Sequence, residues 1–180
     1  MVVVPVVWRT LALLPALACL VTAPPAHAYE DQFGLSVDAT YGRVVPDSSR
    51  PDGLLLGASG SLGLDDTWTA RMRLAYGAQL ATERNEETLQ LGLASGELLY
   101  LFDILEWVPY VGIGVDGILL NDSKGFGSEL GCHVVAGLDW LATRELVVGL
   151  DVRGVVLASA WETRPFYLAV TLSLGWLFQL

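Results

Sequence analysis

Leu168-Ala169-Val170-Thr171-Leu172-Ser173-Leu174-Gly175-Trp176-Leu177-Phe178-Gln179-Leu180 carries an apolar and mostly large side chain at every second position. The residues in between, Ala169, Thr171, Ser173, Gly175, Leu177 and Gln179, are small or polar apart from Leu177. A period of two held over thirteen residues predicts one long β-strand, because a helix would scatter the same side chains around its axis. Strands of soluble proteins commonly run to about five or six residues. A strand that crosses lipid needs about nine to eleven.

Upstream of this stretch the same alternation recurs. It predicts strands over Gln32–Gly42, Leu54–Leu64, Thr67–Leu80, a fourth running on from Thr88, then Pro109–Leu119, Ser128–Leu141 and Leu146–Val156, with the quoted stretch as the eighth. The connections at 43–53, 81–87, 120–127 and 157–163 are long or polar, those at 65–66 and 142–145 are tight, and 103–108 is intermediate. A meander places alternate connections at opposite ends, and an even strand number returns both termini to the end with the short turns. Long outer loops and short inner turns are the pattern of outer-membrane barrels, which puts the termini on the periplasmic side.

The two phases differ in bulk. The polar phase holds Asp38, Arg71, Arg73, Asp116, Glu129, His133, Asp139, Asp151 and Arg153 among many Gly, Ala, Ser and Thr, while the other phase is rich in Leu and Val. A narrow eight-stranded barrel has room inside for small residues and a few long charged ones, so the bulky phase faces outward as a band against lipid. Hydrocarbon cannot satisfy an open sheet edge, so the first and last strands must pair. The expectation is an all-β, eight-stranded antiparallel up-and-down transmembrane β-barrel over 29–180, with those nine polar residues forming a lumen network. Trp68, Trp140, Trp176 and Phe178 fall at the turn end, and Tyr41, Tyr76, Phe166 and Tyr167 near the loop end, as an aromatic girdle requires. In the fourth strand the phase conflicts: with Leu89, Leu91 and Leu93 outward, Glu97 faces lipid unless a bulge at Gly96 resets the register. A mid-strand carboxylate against lipid is costly, so the bulge is expected.

Composition narrows the class. The chain has 180 residues, a formal net charge of −10 and 17% charged residues, against about 25% in ordinary globular domains. No basic nucleic-acid footprint is present. Past the amino terminus no run of about 18 apolar residues occurs, which excludes a helical membrane protein. Residues 1–28 read as a signal peptide: Arg9, an apolar Thr10–Val21 and a small-x-small Ala26-His27-Ala28, with cleavage between Ala28 and Tyr29. Ala16-Leu17-Ala18-Cys19 offers a second reading, lipidation at Cys19. Downstream of the leader Cys132 stands alone in the apolar phase and reads as a small hydrophobe.

The leader, the amphipathic strands, the Pro109-Tyr110-Val111-Gly112-Ile113-Gly114 opening and the ending Gly175-Trp176-Leu177-Phe178-Gln179-Leu180 together resemble the small bacterial outer-membrane β-barrel proteins, the group that includes the OmpA membrane domain, OmpX and OmpW. The resemblance implies a bacterial outer-membrane location and surroundings of outer-membrane lipid and lipopolysaccharide. It also implies recognition of the last strand by the outer-membrane assembly machinery. Members of the group usually end in an aromatic residue; this chain ends in Leu180, with Trp176 and Phe178 keeping the alternation.

For function, the expectation is a non-enzymatic barrel with a largely filled polar lumen and a structural or surface-interaction role. The alternative is a narrow channel, or an OmpW-like conduit for small, including hydrophobic, solutes; Ile118, Leu119 and Leu120 either line an apolar pocket for it or simply finish the fifth strand. A lipid A-modifying enzyme is a third reading, with His133 as base beside Ser128 or Glu129. No cofactor or metal is implied, since a single His beyond the leader makes no cluster and no glycine-rich phosphate loop occurs. The loops carry Asp47, Asp52, Glu83, Glu86, Glu87, Asp122 and Glu162, interrupted by Arg43, Arg50, Arg84 and Lys124. They suit ordinary solvated surface, divalent-cation bridging to anionic lipopolysaccharide, or recognition by an external ligand of unspecified kind.

Overall fold

The structure is a computed structural model that describes residues 32–45, 52–79, 89–102, 106–122, 125–158 and 166–179. The leader, with its cleavage point and Cys19, and the loop carboxylates at 47, 83, 86, 87 and 162 lie outside the described residues. Eight strands follow in order: β1 (Gln32–Val45), β2 (Gly53–Gly63), β3 (Trp68–Gln79), β4 (Leu89–Leu101), β5 (Trp107–Asp122), β6 (Gly125–Leu141), β7 (Leu146–Leu157) and β8 (Phe166–Gln179). Each pairs antiparallel with the next, and β8 closes on β1 from Gln32↔Gln179 to Val45↔Phe166. The expected closed up-and-down barrel is the observed one.

Several strands outrun their sequence-based bounds. β1 continues to Val45, and β5 starts at Trp107 rather than Pro109. The segment expected as a loop at 120–127 is mostly ladder, since β5 and β6 pair out to Asp122↔Gly125. Gly125 there has φ 128°, in the left-handed region that suits glycine. At the opposite end the turns are short. The Asp65 carboxylate accepts hydrogen bonds from the Thr67 N–H (2.7 Å), the Thr67 hydroxyl (2.9 Å) and the Trp68 N–H (2.7 Å). Those donors, the Thr67 N–H first, hold its carboxyl below the usual range. In the β6–β7 turn the Thr143 hydroxyl accepts from the N–H groups of Glu145 and Leu146.

The outer wall is the bulky phase of seven strands: Val37, Leu56, Met72, Leu74, Ile113, Val115, Val134 and Leu172 are all more than half exposed. The fourth strand departs from expectation. Its register with β3 runs unbroken from Trp68↔Tyr100 through Arg71↔Glu97 to Gln79↔Leu89, with no bulge at Gly96. Glu97 does face inward, but by carrying its whole phase with it. Leu91, Leu99 and Leu101 are buried inside, and the small Gly92, Ala94 and Gly96 fall in the outward phase. The physical reason is that Glu97 sits opposite Arg71, and a carboxylate among guanidinium groups outweighs the outward preference of leucines that find apolar neighbours inside.

The lumen is therefore tiered and not polar throughout. At the turn end Leu99, Leu101, Val108, Tyr110 and Val135 cluster. At the loop end Leu55, Ala75 and Leu91 pack with Leu93, Ile118 and Leu120, next to Val155 and Leu157. Charged residues occupy the level between.

All six girdle aromatics lie on the outer wall. At the turn end they are joined by Trp107, which stacks on Trp140 (centroids 5.8 Å apart, planes at 20°), and by Tyr100, edge-on to both Trp68 (5.2 Å) and Phe102 (5.0 Å). Phe126 and Phe166 are exposed near the other end. Tyr167, expected in the girdle, instead turns inward among the loop-end apolar residues.

An arginine placed on the middle of this outer band, at Val37 or Met72, is expected to lower the unfolding free energy in phospholipid vesicles by about 2–4 kcal/mol, against about 0–1 at the rim residue Leu64. Denaturant titration of the vesicle-folded protein measures it, and equal effects at the three positions would overturn the lipid-facing assignment.

Candidate functional site

Alternation places Arg71 and Arg73 of β3 on the same inward face, and likewise Asp151 and Arg153 of β7. Opposite them stand Asp38 on β1, Ser95 and Glu97 on β4, Asp116 on β5, His133 on β6 and Thr171 on β8. All are buried. Asp151 is the centre of the layer. Its Oδ2 accepts from Arg73 Nη2 at 2.9 Å, from Arg71 Nη2 at 3.4 Å and from the Tyr110 hydroxyl at 3.4 Å, while its Oδ1 accepts from Arg153 Nε at 3.3 Å. Glu97 forms the second node: Arg71 Nε donates to its Oε2 at 2.7 Å, and Arg153 Nη2 lies 2.9 Å from its Oε1.

Arg73 Nε lies 2.9 Å from Asp38 Oδ2. The angle there is too poor for a hydrogen bond, and neither atom has another such partner among the described residues, so this contact is ionic. Tyr110 receives a hydrogen bond from Arg71 Nη1 at 3.2 Å, and the Arg71 guanidinium stands 5.2 Å from the Tyr110 ring centroid. Thr171 bonds Thr40 at 3.0 Å, hydroxyl to hydroxyl.

Buried ion pairs hold only where good geometry and further hydrogen bonds offset the loss of hydration. Here three arginines face the four carboxylates of Asp38, Glu97, Asp116 and Asp151. The carboxylate without an arginine, Asp116, takes His133, whose Nδ1 lies 2.7 Å from its Oδ2. Glycine makes that placement possible. A Cβ at Gly114 would stand 2.4 Å from the His133 ring, and one at Gly137 would stand 2.3 Å from that of Tyr110.

Seven of the nine residues expected in the network are thus brought together: Asp38, Arg71, Arg73, Asp116, His133, Asp151 and Arg153. Glu129 stands above the layer in the wall of the loop-end cavity, and Asp139 below it in the turn-end cavity. Both are only half-buried. Glu97 and Tyr110 complete the layer and were missing from the expected network, although Tyr110 shares the polar phase of β5. The expected partners of His133 are corrected: Ser128 is exposed, Glu129 is four residues away along β6, and the hydrogen-bond partner is Asp116. Among the described residues no Ser hydroxyl lies within hydrogen-bond reach of His133; the Ser95 hydroxyl donates to Glu97 Oε1 at 3.4 Å. Nor does any group of His, Cys, Asp and Glu among them have the arrangement to hold a metal ion.

Small cavities flank the layer. The lower one, about 60 Å³ open to the centre of a water molecule, is lined by Ser36, Ser59, Ser61, Thr69, Ser173, Arg71 and Asp139. The upper one, about 70 Å³, is a cup walled by Leu55, Leu91, Leu93, Ile118, Leu120, Val155, Leu157 and Tyr167, with Thr40, Asp116 and Arg153 also reaching it. Each has room for a few waters. Ile118 and Leu120 line the cup, while Leu119 points to the outer wall.

No protein-family model and no curated protein sequence matches the chain. Solved structures share its fold. The N-terminal β-barrel domain of Pseudomonas aeruginosa OprF aligns with TM-score 0.58 and 18% identity over 83% of this chain and 98% of that one. The outer membrane protein OprG from Pseudomonas aeruginosa aligns at 0.59 and 10% over 88% and 100%. The outer membrane enzyme PagL aligns at 0.51 and 14% over 78% and 97%. At such identities the likeness is one of fold, and a fold that also serves an enzyme does not decide activity.

Replacing Asp151 by Asn is expected to cost about 3–5 kcal/mol of stability, because it leaves buried guanidinium groups without their shared anion. Arg144→Gln in the exposed β6–β7 turn should change stability by less than about 0.5 kcal/mol. Urea unfolding of both variants in the same lipid measures the contrast.

Proposed function

We propose that this chain is a non-enzymatic, occluded barrel of the bacterial outer membrane with a structural and surface-presenting role. The observation that carries the reading is the buried layer of Arg71, Arg73, Arg153, Asp38, Glu97 and Asp151, which crosses the lumen from wall to wall, with small cavities above and below it among the described residues. A continuous apolar outer band between two levels of aromatic residues supports residence in lipid. The fold shared with solved outer-membrane barrels supports the outer membrane in particular, with lipid and lipopolysaccharide around the wall. The short described turns lie at the end where β1 begins and β8 finishes, which supports periplasmic termini and an outward-facing β5–β6 hairpin. The Gly175–Leu180 ending would be read by the assembly machinery during insertion.

The catalytic reading has less behind it. His133 is buried on Asp116 with no hydroxyl nucleophile in reach among the described residues, which supports a role for the pair in balancing charge in the layer. Passage of solutes straight through the lumen would require the arginines to give up buried partners.

Planar-bilayer recording tests the reading. The wild-type protein is expected to show no stable unitary conductance, while the triple variant Asp38→Ser, Arg73→Ser, Asp151→Ser, which trims the layer, should conduct. Reproducible channels from the wild type would overturn the occluded lumen.

A further inference from the structure

Below the charged layer, at the turn end, the lumen holds a carboxylate with no partner to balance it. Asp139 of β6 is half-buried and lines the lower cavity. It makes no hydrogen bond and stands in no ion pair among the described residues, yet its oxygens are open to the cavity and not sealed in the wall. Arg71 reaches the same cavity, but its three nitrogens are engaged above it: Nε with Glu97 (2.7 Å), Nη1 with Tyr110 (3.2 Å) and Nη2 with Asp151 (3.4 Å). Nor can the layer as a whole serve Asp139. It sets three arginines and His133 against the carboxylates of Asp38, Glu97, Asp116 and Asp151. Whichever charge His133 carries, no positive charge is left over. A carboxylate in that position is expensive unless a counter-charge joins it.

The cavity supplies oxygen and room. Ser173 Oγ and Asp139 Oδ1 lean over one glycine: a Cβ on Gly149 would stand 2.3 Å from the first and 2.5 Å from the second. Ser61 Oγ leans over Gly34 in the same way, 2.3 Å from where a Cβ would stand. Thr69, 5% exposed, adds an Oγ1 without a hydrogen-bond partner among the described residues. All three hydroxyls line the cavity. Carboxylate, hydroxyl and water oxygens are hard donors and suit a hard cation. One carboxylate matches one positive charge. About 60 Å³ open to the centre of a water molecule leaves space for an ion and a few waters. Among the described residues the exposed charges of the nearby turns are Asp65, Glu106 and Glu145 against Arg144, and a field of that sign concentrates cations at this end.

We propose that the lower cavity is a site for a single monovalent metal cation, held by the Asp139 carboxylate and the Ser173 hydroxyl, with water and the neighbouring hydroxyls around it. Such a site needs no cluster of acidic or histidine ligands. The proposal goes beyond the occluded-barrel reading and takes from it only that the charged layer roofs the cavity.

The test is urea unfolding of the full chain folded in phospholipid vesicles, in sodium chloride against choline chloride at equal ionic strength. Choline is too large for the cavity. The wild type is expected to unfold at higher urea in sodium, and once sodium exceeds its dissociation constant the folding equilibrium constant should rise about tenfold for each tenfold rise in sodium. Asp139→Asn should lose that dependence and, in choline, be at least as stable as the wild type, a gain that a merely structural carboxylate would not give. Ser173→Val keeps the charge and should weaken sodium binding at least threefold, which keeps the test decisive if Asp139→Asn fails to fold. Glu106→Gln, on the exposed turn, should keep the wild-type dependence. Equal wild-type stability in the two salts, full sodium dependence in Asp139→Asn, or loss of it in Glu106→Gln would each overturn the proposal. So would a stability that moves with pH and not with sodium, which would assign the counter-charge to a proton. Bilayer recording on the same preparation separates the two readings: a silent barrel indifferent to sodium sinks the cation site alone, and a conducting one sinks the closed lumen.

Discussion

Asp151 is bound from three sides by Arg71, Arg73 and Arg153, with the Tyr110 hydroxyl as a fourth donor. These donors come from β3, β5 and β7, so a single carboxylate ties three separate strands across the lumen. Backbone pairing alone fixes each strand only to its two neighbours. The layer adds contacts between strands that never pair, and because its side chains are buried, their exclusion from bulk water strengthens every charge–charge contact within it. The same exclusion makes an incomplete layer expensive. That is why small residues such as Gly114 and Gly137 stand where a Cβ would push His133 or Tyr110 out of place.

The layer also explains the strand that breaks the outer pattern. In β4 the leucines and Glu97 share one phase, so the strand can satisfy its apolar residues in lipid or its carboxylate in the lumen, but not both by alternation alone. Inside, the leucines lose nothing: Leu99 and Leu101 join Tyr110 and Val108, and Leu91 joins Leu55 and Ala75. A Leu phase has two acceptable homes in this barrel, and a mid-strand carboxylate has one. The cost falls on the outer wall, which at β4 presents Gly92, Ala94 and Gly96 beside Leu98.

Much of this was legible in the chain. Period-two alternation located all eight strands and the inward phase of seven, because side-chain direction in a strand is fixed by parity. The tiering of the lumen was not. In sequence Leu55 and Val155 are isolated apolar residues in a polar phase, Leu157 falls in an expected loop and Ile118 and Leu120 stand together, and only the barrel's stagger brings the five to one level. Partner choice was hidden for the same reason. His133 and Asp116 are 17 residues apart and meet because the β5–β6 register places Asp116 opposite Gly131, next but one to His133. Strand ends were missed where polar or Gly-rich sequence continues as ladder, as in Gly125–Gly127, since main-chain pairing needs no apolar phase.

The tiers let one narrow lumen hold both charges and leucines. An all-polar lumen would admit more water to the layer and weaken its ion pairs. An all-apolar lumen would leave the arginines and carboxylates without a home. Placing the charges at mid-height, with leucines toward both ends, lets the lower tier and the ion pairs close the barrel while the upper tier remains a shallow apolar recess. Asp116 belongs to both: one oxygen completes the layer through His133, and the residue also lines the recess. It is the carboxylate of the layer that no arginine takes, so removing His133 alone would leave it buried without a partner, whereas replacing both by apolar residues often costs little.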